Sequence, residues 1–544
     1  MKYFYCFIYF TTIFFFSLDQ FVLANTIKKP AFSARTTTAV TVDSIQCQPE
    51  LTRFYITLRY FPNSAITIGK NILLKDFSSG TIWKAIDMEG GDFDRRIMIP
   101  ETGESSIFID FPVVPTTVKH VDLINSTQDF PFKIIDISLS NNIAAKKTDV
   151  SQNKFLKKSG QLHPDKSIIH VVLNGYHTRL NVDSALLIHK NIITGKQEII
   201  KEKIDSDGQF IITIPQIYPE QQTIFLPCGY INLYSEPGNE LFISANMEDL
   251  AIPYKQPEDA EQNYIHLQYK GDEAITNNDL KKIRIAMSRL FPSTQIETQG
   301  LSAEQYKQTV KQLALRQQSA LDSLIQKLHI SPKAADIAQL NLQCSITNRL
   351  LDLEYIQHQQ GKTTILPLNY YDIVSFPFDN FLSLSATGYP NLIDKLEHSP
   401  IMTNGKKSVK GNDVINAFKR LHIPLAPDEQ ELILYSFSMK TPSDTARIKD
   451  FRRRTKEFNQ KHPAIQLAAR EQALYEKYHK SLQQTFGINS DLLSEILYAQ
   501  RVVLSIKSLG RALSEKELAA FCKPITQKYI QESIQTENLK FKLK

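Results

Sequence analysis

The chain has 544 residues, and its 63 Lys and Arg against 57 Asp and Glu give a net charge of +6. This length accommodates three or four domains of roughly 150 residues each, and 42% hydrophobic with 22% charged residues is an ordinary globular composition. The small net charge, without a Lys/Arg block interleaved with aromatic residues, excludes a dedicated nucleic-acid-binding face.

Residues 1–24 have the pattern of a secretory signal peptide. An apolar run from Tyr3 to Phe16 follows one lysine, and Val22 and Ala24 are the small residues of a cleavage site. An uncleaved anchor is the alternative, but the run is shorter than the roughly 20 residues of a membrane-spanning helix. No later segment is long and apolar enough to span a bilayer. We therefore expect an exported protein without a transmembrane span after cleavage, in the periplasm or, alternatively, outside the cell or associated with its surface.

The mature chain has four widely separated cysteines: Cys47, Cys228, Cys344 and Cys522. An oxidising compartment favours disulfides, but this number of cysteines does not indicate a disulfide-stapled fold. Whether one long-range bridge forms among them stays open. No Cys-x-x-Cys motif is present.

Residues 25–140 alternate between apolar and polar positions. In "RFYITLRYF", one face carries Phe54, Ile56, Leu58 and Tyr60, and "SSIFIDFPVV" repeats the alternation. A period of two is typical of half-buried antiparallel strands. Several such strands, spaced about ten residues apart, predict a small β-sandwich.

Residues 141–167 are polar, basic and without periodicity, which predicts a linker. Residues 168–256 contain six short apolar stretches at regular spacing and predict a second β-domain. In "DSDGQF", Asp207-Gly208 predicts a hairpin between two strands, because glycine accepts a positive φ. "SEPGNE" predicts a further turn at Pro237-Gly238.

From residue 257 to 544 the apolar period becomes helical. Ser302 and Gln305 have the spacing of a capping box, Pro332 occupies the first position of a predicted helix, and a long helix is interrupted near Pro463. The predicted fold class is therefore multidomain, β then α. It consists of two small antiparallel β-sandwich-like domains followed by an all-helical domain.

The familiar signatures of reactive sites are missing from the sequence. There is no phosphate-binding loop, Gly-x-Gly-x-x-Gly, Gly-x-Ser-x-Gly or His-Glu-x-x-His motif. The nearest histidines, His163, His170 and His177, are expected at a surface or strand edge rather than on a metal. We expect no cofactor and no metal, and these absences lean against an enzyme.

One segment rich in proline and aromatic residues, "LPLNYYDIVSFPFDNF", interrupts the predicted helices. Its residues Tyr370, Tyr371, Phe376 and Phe378 are the candidate binding groove of this sequence. The alternative is a buried plug between helices, which is favoured because aromatic residues this dense usually bury.

Cys522 lies two residues before Pro524, in a helix that Ser514 and Glu517 are predicted to cap. A thiol redox site requires a lowered thiolate pKa and a second thiol, usually three positions further on, with two residues in between. That position is Ile525. Cys522 is therefore predicted to be a small buried residue rather than a catalytic thiol.

These segments, in this order, resemble one family. "RRIMIPETGESSIFIDFPVVPTTVKHVDLINSTQDFPFKIIDISL" resembles the N-terminal β-sandwich of large periplasmic TlpA-type thiol–disulfide oxidoreductases. "IDSDGQFIITIP" and "YSEPGNELFISANM" are similar to their second β-domain, and "HISPKAADIAQLNLQCSITNRLLDLEY" and "GINSDLLSEILYAQRVVLSI" to their helical region. In that family a thioredoxin-like domain with a Trp-Cys-x-x-Cys site follows. This site matches no position here, so the family's catalytic residues do not transfer.

The resemblance implies an exported, redox-associated architecture. The expected function is a non-catalytic accessory, binding or dimerising region without a redox site of its own, with a second copy or a thioredoxin-like envelope protein as its partner. One alternative is a subunit of a split oxidoreductase whose thioredoxin-like domain is on another chain. Another is a surface glycan- or protein-binding adhesin, which an exposed aromatic platform on either β-domain would favour.

Overall fold

The computed structural model describes most of the mature chain: residues 25–140, 166–253, 263–292, 296, 301–359, 366–367, 369–399, 409–437, 445–461, 463–488 and 491–542. The predicted signal peptide, residues 1–24, lies outside these described residues. So does the predicted linker, apart from its last two residues, which begin a strand.

The first β-domain is a sandwich of two five-stranded antiparallel sheets. Its strands are β1 (Asn25–Lys28), β2 (Ala34–Arg35), β3 (Val40–Cys47), β4 (Thr52–Arg59), β5 (Ala65–Thr67), β6 (Leu73–Lys75), β7 (Ile82–Lys84), β8 (Asp87–Glu89), β9 (Arg96–Met98), β10 (Glu104–Phe111), β11 (His120–Asn125) and β12 (Phe132–Ser138). The sheet orders are β1-β3-β4-β10-β8 and β2-β12-β11-β6-β7, and β5 pairs with β9. Alternate side chains of β4 are buried, and both sheets contribute to one apolar core. The predicted sandwich is confirmed.

The second β-domain packs two four-stranded sheets around an apolar core, to which Ala34 and Ile135 of the first domain also contribute. Its strands are β13 (Lys166–Asn174), β14 (Ser184–Lys190), β15 (Gln197–Lys203), β16 (Gln209–Pro215), β17 (Glu220–Leu226), β18 (Gly229–Ser235), β19 (Glu240–Asn246) and β20 (Gln268–Gly271). The sheet orders are β16-β13-β19-β20 and β15-β14-β17-β18. All pairs are antiparallel except β13 with β19, which is parallel.

Two predictions about this domain were wrong in detail. Asp207-Gly208 does form a turn, with Gly208 at φ +75°, but the strands it joins do not pair: β15 hydrogen-bonds to β14, and β16 to β13. The turn therefore crosses from one sheet to the other. The domain also extends past residue 256, because β20 completes a sheet. "QYKG" is too short and too polar for its periodicity to reveal a strand.

Most of the described chain from residue 274 onward is helical, and one short helix, Met247–Leu250, lies between β19 and β20. The helices are α1 (Met247–Leu250), α2 (Ala274–Leu290), α3 (Ala303–Lys327), α4 (Pro332–Gln359), α5 (Tyr389–His398), α6 (Gly411–Arg420), α7 (Pro427–Ser436), α8 (Thr445–Lys461), α9 (Pro463–Phe486), α10 (Leu492–Leu509), α11 (Glu515–Cys522) and α12 (Lys528–Lys542). The Ser302–Gln305 capping box and the start at Pro332 are confirmed. α9 begins at Pro463, and the residue before it, where the interruption was predicted, lies outside the described residues. No described helix is both long and apolar enough to cross a bilayer.

Candidate functional site

Cys522 is the last residue of α11 and is buried. Burial raises the pKa of its thiol to about 11, so the thiol is protonated at neutral pH. Helix N-termini stabilise thiolates through the helix dipole, whereas the C-terminal end that Cys522 occupies has the opposite sign. The predicted burial of Cys522 is confirmed, and its surroundings disfavour the reactive form.

The other described cysteines have the same character. None of Cys47, Cys228, Cys344 and Cys522 is in a disulfide. Burial raises the pKa of both the Cys228 and the Cys344 thiol to about 12, and it raises that of Cys47 as well. In the described part of the chain, therefore, no cysteine has the lowered pKa that a redox thiol requires.

The aromatic segment is buried in the helical core rather than exposed as a groove. The residues concerned are Tyr370, Tyr371, Phe376 and Phe378. Their polar groups are satisfied internally, because the Tyr370 hydroxyl donates to the Leu350 carbonyl at 3.1 Å and the Tyr371 hydroxyl to the Glu354 carboxylate at 2.9 Å. Phe376 and Phe378 contact each other edge to face, with centroids 5.1 Å apart. The groove hypothesis is corrected: these rings plug the space between helices, since enclosure removes their large apolar area from water.

The histidines of the "HPDKSIIHVVLNGYH" stretch have separate partners. His163 lies outside the described residues. His170 Nε2 is 2.8 Å from Glu240 Oε1, and His177 Nε2 is 3.9 Å from Asp136 Oδ2. Among the described residues no group of three or more His, Cys, Asp or Glu side chains has the placement of a metal site.

A cleft of about 580 Å³ opens at the junction of the two β-domains. Its walls come from the β6–β7 turn, the loop before β11, a residue of β12, and a short 3-10 helix of the second domain, Thr178–Leu180. Ligand pockets commonly have volumes of about 300–1,000 Å³ and often lie between domains. This cleft is therefore the candidate binding site, and sequence patterns did not predict it.

Arg179, from the 3-10 helix, fixes this junction. Its Nη1 donates to both carboxylate oxygens of Asp122 on β11, each at 2.9 Å, and its guanidinium also pairs with Asp136 on β12. The Lys133 ammonium donates to the Arg179 carbonyl at 3.2 Å. One arginine of the second domain is thus held by three residues of the first, and this places its guanidinium against the cleft.

A β-bulge between β11 and β12 brings the two carboxylates together. The register shifts between Val121 and Leu123, and Asp136 has φ +55°, a region that aspartate tolerates better than most residues. The Asp136 amide donates to Asp122 Oδ1 at 2.9 Å. Burial raises the pKa of Asp122. Burial also acts to raise the pKa of Asp136, but the hydrogen bond and charge of Arg179 outweigh it, and the net shift is downward.

Two aromatic rings line the cleft. Phe77, at the β6–β7 turn, is 61% exposed, and the Arg179 Cζ lies 4.6 Å from its ring centroid, a cation–π distance. Trp83 on β7 is half-buried against the core of the first domain, opposite Leu74 of β6. The cleft therefore has one open aromatic ring and one partly covered ring.

The turn that carries Phe77 is held by Asp76. Its carboxylate accepts from the Ser78 amide at 2.9 Å and from the hydroxyls of Ser78 and Ser79, each at 2.7 Å. These hydrogen bonds lower the pKa of Asp76. Such a side-chain-to-backbone turn is the ordinary role of Asp followed by Ser. Asp76 is therefore ionised and used to shape the turn.

The formal charges around the cleft cancel. Two carboxylates, Asp76 and Asp136, line it together with two cations, Lys119 and Arg179. Arg179 is committed to its aspartates, and the Lys119 ammonium donates to the Thr116 carbonyl at 3.0 Å. Nine of the thirteen lining side chains are polar. The arrangement suits a neutral ligand that has both an apolar face and many hydrogen-bonding groups.

Sequence patterns had predicted only a strand around Trp83 and had not marked Arg179. The one local signal was "KDFSSG", in which a large apolar residue stands inside a turn-forming Asp-Ser-Ser-Gly stretch. A phenylalanine at a turn has little opportunity to bury, so this position was a candidate for exposure. The contact of Phe77 with Arg179, which lies about a hundred residues further along the chain, depends on how the two β-domains pack.

Comparisons with known proteins do not identify a family. No family model matches the chain, and no curated protein matches it. Solved structures of a pullulanase from Anoxybacillus sp. LM18-11, among them its maltotriose and maltotetraose complexes, match with 13–15% identity and TM-scores of 0.15–0.16. The match covers 33–35% of this chain and 22–24% of theirs. TM-scores this low establish neither a shared fold nor a shared function.

Proposed function

We propose that this chain is an exported, non-catalytic accessory region related to TlpA-type thiol–disulfide oxidoreductases, which binds a ligand or partner and has no redox site of its own. The observation that carries the proposal is the state of the thiols. Burial raises the pKa of all four described cysteines, and none is in a disulfide. A dithiol exchange site needs the opposite: a thiolate and a resolving thiol within reach.

The junctions between the modules support a scaffold with fixed geometry. Arg35 of the first β-domain pairs with Glu248 of α1, and the Thr38 amide donates to the Ala251 carbonyl at 2.9 Å. Together with the ion pairs of Arg179, these contacts hold the two β-domains against each other. Fixed walls reduce the entropy lost when a ligand binds, which favours a binding role for the cleft.

The proposal is tested by dithiothreitol-driven insulin reduction with the purified mature protein. We expect the rate to equal the protein-free background, with no change in Cys522→Ser or Cys344→Ser. Turnover above background that disappears in either variant would overturn the non-catalytic proposal.

A second candidate function, glycan or protein binding at a surface, has one observation in its favour. Phe77 and Trp83 of the first β-domain both line the cleft, and Phe77 is largely open to solvent. Large apolar residues exposed in a polar concavity often mark an interaction site. Binding at the cleft is compatible with the accessory role, and a fluorescence titration of Trp83 tests it directly.

A further inference from the structure

We propose that the cleft at the junction of the β-domains binds a short neutral oligosaccharide, with one sugar ring stacked on Phe77 and next to Trp83. This inference rests on the proposed binding role and adds the chemical class of the ligand. It depends on three properties of the cleft: a fixed exposed ring, balanced charge and polar side chains around the rings.

The first property is the fixed ring. Phe77 leaves 61% of its surface in water, although burying a phenylalanine side chain stabilises a protein by about 1.5–3 kcal/mol. Nevertheless the ring is held from two sides, by the Asp76-centred turn that carries it and by the Arg179 guanidinium against its face. A ring that is exposed and also fixed is pre-organised for stacking. The apolar face of a pyranose, with its row of C–H groups, is a suitable partner for such a ring.

The second property is the balanced charge. A site for phosphate or a polyanion uses uncommitted arginine or lysine groups. Here Arg179 already pairs with Asp122 and Asp136. The Lys75 ammonium lies 5.9 Å from the Phe77 ring centroid, so three cations and three carboxylates meet at the cleft and their formal charges cancel. An anion would gain no net attraction, whereas a neutral ligand has no charge to desolvate.

The third property is the polar lining around the rings. Thr81, Thr117, Lys119 and His120 supply hydroxyl, ammonium and imidazole groups along the walls. Sugar hydroxyls both donate and accept hydrogen bonds, so they can use such a mixed set. A proline-rich peptide, the other common ligand of aromatic grooves, offers few side-chain hydrogen bonds. It would therefore use fewer of these groups than a saccharide would.

Trp83 provides the assay, because it is the only tryptophan in the chain and it lines the cleft. The full mature protein is titrated with cellotriose, laminaritriose and maltotriose while its tryptophan fluorescence is followed. We expect a saturable change with at least one of them. Phe77→Ala should weaken that binding about tenfold, the upper range for an aromatic stacking contact. Phe225→Ala, which removes a ring that is 42% exposed on the second β-domain, should leave binding unchanged.

Two results with the neutral trisaccharides would overturn the inference. One is the absence of a saturable fluorescence change with any of them up to about 10 mM, a range that detects a Kd near 1 mM, and the other is equal affinity in wild type and Phe77→Ala. Tighter binding of trigalacturonate, or saturation by a proline-rich decapeptide but by none of the trisaccharides, would also overturn it. Both phenylalanines are exposed, so neither variant should fail to fold. The insulin assay is independent, so a protein silent in both experiments would retain the non-catalytic proposal and lose the saccharide.

Discussion

The side-chain amide of Gln500 on α10 donates a 2.6 Å hydrogen bond to the backbone carbonyl of Ile192, in the turn between β14 and β15. Ile192 and its neighbour Ile193 belong to the helical core, although they lie at the tip of a hairpin of the second β-domain. The Ile192 amide is satisfied from the opposite side, by the Tyr218 hydroxyl at 2.9 Å. The second β-domain and the helical domain therefore share a core.

Ile193→Ala should show that this hairpin tip contributes more to the free energy of unfolding than an ordinary surface residue does. Ile193 is 0% exposed, whereas Ile199 on the adjacent strand is 65% exposed. Truncating a buried isoleucine removes apolar contacts and leaves a cavity, so we expect the free energy of unfolding in urea to fall by about 2–5 kcal/mol. Ile199→Ala should change it by less than about 0.5 kcal/mol. Equal effects of the two variants would contradict the shared core.

Arg179→Met should weaken the junction that forms the cleft. Asp122 is 2% exposed, and without its guanidinium partner a buried carboxylate is left uncompensated. Breaking one side of a buried ion pair typically destabilises by about 3–5 kcal/mol, which thermal unfolding would measure. Arg95→Met, where the arginine pairs with Asp92 in solvent, should change stability by less than about 1 kcal/mol. A double variant, Arg179→Met with Asp122→Asn, should recover part of the loss. If Arg179→Met alone were as stable as wild type, the role of Arg179 at the junction would be contradicted.

Sequence patterns predicted those parts of the fold that local chemistry decides. Strand alternation around Phe54, the Ser514–Glu517 capping box and the helix start at Pro332 each depend on residues a few positions apart, and all three are present. The β-then-α order follows from the change of apolar period from two to 3.6. The confirmed fold class thus needed no long-range information.

Long-range pairing is where the sequence was insufficient. The turn at Gly208 has the same chemistry whether it closes a hairpin or crosses between sheets, because only φ > 0 is required. Which strand β16 pairs with depends on how the two sheets close their core. In the same way, dense aromatics indicate burial but not their partners, and the contact of Arg179 with Phe77 requires two packed domains.

The buried pair of His189 and Glu220 predicts a pH dependence of stability. His189 Nε2 is 3.2 Å from Glu220 Oε1, and His189 lies near the tip of the β14–β15 hairpin. Burial acts to lower the pKa of His189, but the hydrogen bond and charge of Glu220, helped by the charge of Glu198, raise it overall above its ordinary value of 6.5. A raised folded-state pKa stabilises the fold below 6.5, and this stabilisation is lost as the pH rises through the folded-state value.

The difference in unfolding free energy between wild type and His189→Asn should therefore be larger at about pH 6 than at about pH 8. Urea titrations of both proteins at the two pH values measure this difference. The subtraction cancels the contributions of groups that titrate equally in both proteins. Glu220→Gln keeps the imidazole but removes the charge that raises the pKa of His189. The pH dependence of the unfolding free energy that His189 causes should therefore be smaller in this variant. A difference that does not change with pH would contradict the assignment.

Alkylation of Cys522 distinguishes a buried structural thiol from a reactive one. A thiol with a pKa of about 11 is roughly one part in ten thousand thiolate at pH 7, against a few per cent for a free cysteine of pKa about 8.5. Iodoacetamide should therefore label Cys522 in the native protein at least a hundredfold more slowly than in urea, as followed by mass spectrometry of its peptide. The native rate should rise about tenfold from pH 7 to pH 8, because the thiolate fraction grows in proportion far below the pKa. A native rate equal to that in urea would mean that the thiol is accessible and ionisable, and the non-catalytic proposal would lose its main support.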